Sequence, residues 1–135
     1  MNVGGSAYLL DTSALLTLIE DESGVDRVEQ LLRRETVFVP WLALLEATYV
    51  SRQERGADEA QRRYALIRAL PATVLWDVSE AVTLQAAGFK AEHRLSLADA
   101  IIASFAVFQN ATLVHKDPEF EALAGAVKLE ALPYK

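Results

Sequence analysis

The chain has 135 residues, about half of them apolar, with no cysteine and only two histidines. That length suits one compact domain with a real hydrophobic core, and the composition excludes disulfides, thiolate metal ligands and a typical zinc site. A net charge of −6 excludes non-specific binding of nucleic acid through a generally basic surface. It leaves a nucleic-acid substrate open, because bound divalent cations reverse a local field.

No apolar stretch approaches the roughly 18 residues that a membrane span needs. The opening Met1–Ser6 has no basic segment followed by an apolar core, so no signal peptide is expected. The lack of cysteine is compatible with a reducing cytoplasm, which is the expected location.

In chain order, the pattern predicts a strand at Ala7–Leu10, helices at Ser13–Ile19 and Val25–Arg33, and a strand at Thr36–Val39. Pro40 then opens a helix at Trp41–Arg55, since a missing N–H costs little in a first turn. Gly56 separates this helix from the next, Asp58–Leu70. A strand is predicted at Thr73–Val78, and Ser79 is placed to cap a helix at Glu80–His93 that Gly88 weakens. Leu97–Gln109 reads as a helix, Thr112–His115 as a strand, Asp117-Pro118 as the start of a short helical turn, and Ala126–Glu130 as a last strand. Strands alternating with helices imply parallel pairing, because parallel neighbours need crossover connections. The expectation is a single domain over residues 1–135, an α/β/α sandwich of about five strands. In such sheets a site lies beyond the carboxyl ends of the strands, and Asp11 and Asp117 fall there.

Four acids stand out, each with an ordinary structural explanation beside the functional one. Glu46 has Leu42, Ala43, Tyr49 and Val50 as its helical neighbours, which turns it toward the interior. There an ionised carboxylate must be protonated, paired or metal-bound; pairing with a buried arginine is the plain alternative. Asp99 closes the capping-box sequence Ser96-Leu97-Ala98-Asp99, but it shares a face with Leu95, Ile102 and Ala103. Asp117 before Pro118 reads as an N-cap, and Asp11 as a strand-ending cap with Thr12 and Ser13 as neighbouring hydroxyls. Carboxylates scattered along the chain at strand ends and inward helix faces point together to one anionic pocket. Oxygen-rich pockets of that kind suit hard divalent cations.

Basic residues gather at Arg52, Arg55, Arg62, Arg63 and Arg68, against Glu54, Asp58 and Glu59. A solvated helical hairpin and a phosphate-facing rim both fit this run. Trp41, Leu44, Leu45, Tyr49 and the helix from Asp58 offer an apolar surface for a partner, with core and surface not separable by sequence.

These residues resemble a family pattern. Leu10-Asp11-Thr12-Ser13-Ala14-Leu15-Leu16, Val39-Pro40 leading to Leu45-Glu46, Leu95-Ser96-Leu97-Ala98-Asp99-Ala100-Ile101-Ile102-Ala103 and Leu113-Val114-His115-Lys116-Asp117-Pro118-Glu119-Phe120 are similar, in order and spacing, to PIN-domain ribonucleases. The likeness is specifically to the VapC-type toxins of type II toxin–antitoxin pairs. It runs over nearly the whole chain, and Leu97–Ala103 is its most specific piece. The resemblance implies a five-stranded parallel sheet of order 3-2-1-4-5 and a metal-dependent endoribonuclease using Mg2+ or Mn2+. It implies that Asp11, Glu46, Asp99 and Asp117 are the catalytic, metal-holding acids and that Ser13 supports Asp11. It further implies a homodimer neutralised by a cognate antitoxin protein. His115 departs from the pattern, standing where the family usually has threonine or serine. Arg52, Arg55, Arg62, Arg63 and Lys116 are then candidates for contact with the RNA backbone.

Two other readings stand beside it. An aspartate-based phosphatase or phosphotransferase would also use a strand-end acid and magnesium, but its common form wants an aspartate where Ser13 stands. In a receiver-like version, Asp77 would be the phosphorylated residue. A non-catalytic PIN-like interaction module is the other reading, against which the presence of all four acids argues.

Overall fold

The computed structural model describes residues 6–135, so most of the segment on which the signal-peptide expectation rests lies outside the described residues. Five strands, β1 (Ala7–Leu10), β2 (Thr36–Pro40), β3 (Thr73–Leu75), β4 (Thr112–His115) and β5 (Leu129–Ala131), form one sheet. All pairings are parallel and the order is β3-β2-β1-β4-β5, as expected. Between the strands run α1 (Thr12–Ile19), α2 (Val25–Arg34), α3 (Trp41–Arg55), α4 (Ala57–Arg68), α5 (Glu80–Glu92) and α6 (Leu97–Phe108). A 3-10 turn, Pro118–Leu123, follows β4. Among the described residues, no helix is long and apolar enough to cross a membrane.

The central strands carry the core. Leu9 and Leu10 of β1 and Leu113 and Val114 of β4 are fully buried, as a strand covered on both faces requires. Two helical groups do the covering: α1 packs on α2 and α3, α3 pairs with α4, and α5 pairs with α6. The chain moves outward from β1 to β2 and β3, then returns through α5 and α6 to place β4 on the other side of β1. That reversal opens a crevice at the carboxyl ends of β1 and β4.

Two strands are shorter than their sequence suggests. The apolar run Thr73–Val78 pairs only as far as Leu75, because its neighbour β2 ends at Pro40, the partner of Leu75. Trp76 and Val78 are left exposed. At the other edge, the first residues of Ala126–Glu130 finish the 3-10 turn, with the Ala126 and Val127 N–H groups both bonding the Leu123 carbonyl. Strand pairing starts at Leu129, opposite Leu113.

Candidate active site

Asp11 is the residue after β1 and caps α1. Its carboxylate accepts from the Ala14 N–H at 2.8 Å and from the Ser13 hydroxyl at 2.7 and 2.8 Å. The same Ser13 oxygen accepts from the Lys116 N–H at 2.9 Å, tying the end of β1 to the end of β4. Thr12, read from sequence only as a cap or a support for Asp11, instead donates to Glu46 Oε1 at 2.6 Å. This bond ties Glu46 to the β1 end, and among the described residues no arginine pairs with it. Asp99 lies in the first turn of α6, where its N–H donates to the Ser96 hydroxyl at 3.0 Å. Among the described residues, no bond returns from the Ser96 N–H to Asp99, so only half of the expected capping box forms. Asp117 caps the 3-10 turn by accepting from the Glu119 N–H at 2.9 Å, with Pro118 in the first position.

The electrostatics bind these acids into one neighbourhood. Burial pushes the Asp11 carboxyl up to about 7 against the hydrogen bonds from Ser13 and Ala14, with Asp99 and Asp117 adding repulsion. Burial likewise raises Asp99 to about 6, with Asp117, Glu46 and Glu119 repelling its charge. Each of the four acids therefore sits in the field of at least one other. Glu119 joins them, a residue that sequence reading did not single out although it lies two positions after Asp117. Even so, among the described residues no three His, Cys, Asp or Glu side chains are gathered closely enough to hold one ion directly as they stand.

The donor set still fits a hard divalent cation. It is all oxygen, and its charges repel one another, which a cation would relieve. Magnesium, which keeps several of its waters and takes one or two carboxylates, asks for no tight cage of three.

Several expected contact residues lie elsewhere. The Lys116 side chain is 4% exposed, and its ammonium is used 2.8 Å from the Ser23 carbonyl and 3.5 Å from Glu22, not offered to a phosphate. Arg63 is buried as an internal staple, contacting Glu59 at 2.9 Å, Ser51 at 3.2 Å and Glu20 at 3.4 Å; it cannot lie on a substrate rim. Arg62 is exposed but paired with Glu59 at 2.6 Å. Arg52 and Arg55 are exposed at the end of α3, roughly 9 and 14 Å beyond Glu46 along the helix axis at about 1.5 Å per residue. Asp77 follows the edge strand β3 and is exposed, apart from the crevice. His115, fully buried, accepts the Asp117 N–H on Nδ1 at 3.1 Å.

The apolar surface expected near Trp41 is a groove of about 370 Å³ lined by Trp41, Leu44, Leu45, Tyr49, Tyr64 and Trp76. Tyr49 and Leu45 are about half exposed, at 45% and 46%, while Trp41 packs partly into the core with its indole N–H buried and without a partner.

A parallel five-stranded sheet of order 3-2-1-4-5, with mutually repelling carboxylates near the point where the strand order reverses, defines a PIN-like class of α/β proteins. The chain belongs to the PIN domain family, whose model matches residues 8–126. PIN-domain proteins are generally nucleases, which supports hydrolase activity on nucleic acid here. Among solved structures, the chain is similar to VapBC2 from Rickettsia felis bound to a DNA fragment from its promoter. There the identity is 21%, the TM-score 0.79, and the match covers 94% of this chain and 99% of that one. VapBC-1 from nontypeable Haemophilus influenzae is similar at 19% identity and TM-score 0.74, covering 93% and 97% of the two chains. Mycobacterium tuberculosis VapC20, described as a sarcin-ricin loop cleaving toxin, is similar at 19% identity and TM-score 0.70, covering 95% and 100%. At these identities the likeness establishes the fold. No curated protein sequence matches this chain.

Proposed function

We propose that this chain is a Mg2+- or Mn2+-dependent endoribonuclease, acting as one domain, and the toxin of a toxin–antitoxin pair. The observation that carries the reading is the mutual repulsion among Asp11, Glu46, Asp99 and Asp117, with Asp11 and Asp99 both pushed up in pKa and Glu46 tied by Thr12 to the residue after Asp11. Family membership supports nuclease chemistry, and the toxin–antitoxin structures among the similar folds support the biological role.

Asp11, Asp99 and Asp117 would hold the divalent ion, directly or through water, with Glu46 beside them. Bound there, the ion supplies a water of lowered pKa and stabilises charge on the phosphate oxygens. The chain's own groups prepare the acids. Ser13 and Ala14 fix both oxygens of Asp11. Thr12 leaves Glu46 with one carboxylate oxygen bonded and the other available to orient a water. The Glu119 N–H aims Asp117. Arg52 and Arg55, as exposed cations on the same helix as Glu46, are the remaining candidates for the RNA backbone.

The apolar groove beside Trp41 is the proposed seat for the cognate antitoxin, and a homodimer is the proposed assembly. Both rest on the likeness to toxin–antitoxin complexes and on the exposed Leu45, Tyr49 and Trp76. Sequencing of RNA ends after brief expression of the wild type beside Asp11→Asn tests the reading. New ends confined to the wild type support it; identical end profiles contradict it.

A further inference from the structure

His115 is fully buried at the end of β4, where the resembled family carries a small hydroxyl. Its Nδ1 accepts the Asp117 N–H at 3.1 Å, so the neutral ring carries its proton on Nε2. Nε2 lies 3.2 Å from Glu121 Oε2, although off the line of a well-formed hydrogen bond. The same Glu121 oxygen accepts from the Tyr134 hydroxyl at 3.3 Å. The Phe120 and Tyr134 rings pack near the imidazole, with centroids at 5.2 and 6.2 Å.

The imidazole is thus held at Nδ1 by the Asp117 N–H and packed by two aromatic neighbours, with Nε2 close to Glu121 but without a well-formed hydrogen bond. Its free lone pair is spent on the main chain of Asp117. Its N–H faces Glu121, and no part of the ring is exposed, which rules out a direct acid–base role on a substrate. What it does govern is the link between β4 and the 3-10 turn. Asp117 is fixed at its N–H by His115 and at its carboxylate by Glu119.

The geometry points to His115 as a positioning residue that, braced by Glu121 and Tyr134, sets the Asp117 carboxylate in the acid cluster. This rests on the proposed metal-dependent nuclease. Groups one step behind a metal ligand typically govern ten- to hundredfold in metal affinity or activity. The imidazole therefore acts on metal binding through Asp117, without touching metal or RNA.

The test compares the wild type with His115→Leu, His115→Asn and Glu121→Ala, each checked for fold by circular dichroism. Asn keeps an acceptor near the Nδ1 position, Leu removes it, and Glu121 is half exposed, so its loss spares the core. Four quantities are read: amide hydrogen exchange of the Asp117 segment without metal, the thermal shift produced by Mn2+, the half-saturating Mn2+ for RNA cleavage, and its kcat. His115→Leu is expected to exchange the Asp117 amide about tenfold faster and to need about tenfold more Mn2+, with kcat at saturating metal changed far less. His115→Asn should stay close to the wild type, and Glu121→Ala should fall between. A folded His115→Leu with wild-type exchange and Mn2+ requirement overturns the role, as does His115→Asn failing as badly as Leu. Should His115→Leu not fold, Glu121→Ala decides: faster exchange with a higher Mn2+ requirement supports the role, and no change in either overturns it. A wild type with neither a Mn2+ shift nor cleavage overturns the nuclease reading as well. A metal-responsive wild type with unaffected variants removes the His115 role alone.

Discussion

The Thr12 hydroxyl donates to Glu46 Oε1 at 2.6 Å, joining the first residue of α1 to the middle of α3 across 34 positions of sequence. One residue earlier is Asp11 and one later is Ser13, so this short segment supplies an acid and the supports of two acids. Thr12→Val keeps the side-chain shape and removes the donor. A hydrogen bond to a charged group contributes about 1.5–3 kcal/mol, so single-turnover RNA cleavage should fall about tenfold or more. Thr12→Ser should retain most of the rate and melt near the wild type, while Thr12→Val should also melt several degrees lower.

Ser13 holds Asp11 and the Lys116 N–H with one oxygen. Ser13→Ala leaves a buried carboxylate with one donor fewer and a main-chain N–H without its acceptor. The expected loss is about 2 kcal/mol of stability in urea unfolding, together with most of the cleavage activity.

The raised carboxyls give stability a pH dependence in metal-free protein. Asp11 ionises near 7 when folded, against an ordinary value of 3.8. Below about pH 4 both the folded and the unfolded forms are protonated, and the site costs nothing. As pH rises from about 4 to 7, the unfolded chain sheds its proton first, so stability falls; above 7 the penalty is constant. For a group this buried the loss is up to ~4 kcal/mol, and Asp99 adds in the same direction through its own rise to about 6. Thermal melts in EDTA should therefore drop between pH 4 and 7. Asp11→Asn should flatten that slope and melt higher than the wild type at pH 8.

Arg63 and Arg62 are adjacent arginines with opposite prospects. Arg63 is buried and joins α4 to Glu20 at the end of α1 and to Ser51 on α3. Arg63→Ala should cost about 3 kcal/mol by urea unfolding, since it empties a buried polar node. Among the described residues Arg62 pairs only with its helical neighbour Glu59 at the surface, and Arg62→Ala should leave the unfolding midpoint in place.

The contrast also marks what the sequence could convey. Helical period alone puts Arg63 on the stripe of Ala60 and Ile67, both buried, yet its charge argued for the surface and hid the signal. The strands Ala7–Leu10 and Thr112–His115 were legible to the residue, since each centres on adjacent apolar residues that are buried on both faces. Thr73–Val78 was not, because its length is set by where β2 stops, a fact of pairing and not of local pattern. The four acids were legible as types at strand ends and helix faces. Their supports depend on tertiary placement: Thr12 reaching Glu46, Ser13 bridging Asp11 to the Lys116 N–H, His115 turning inward to the Asp117 N–H.

The central claim is that these carboxylates work together through a divalent cation, and a Mn2+ titration of EDTA-treated protein tests it most directly. Wild-type protein should gain thermal stability and RNA cleavage over the same Mn2+ range, while Asp99→Asn keeps its fold and loses both. Cleavage that persists in EDTA, or an Asp99→Asn protein that cleaves and responds to Mn2+ like the wild type, would contradict it.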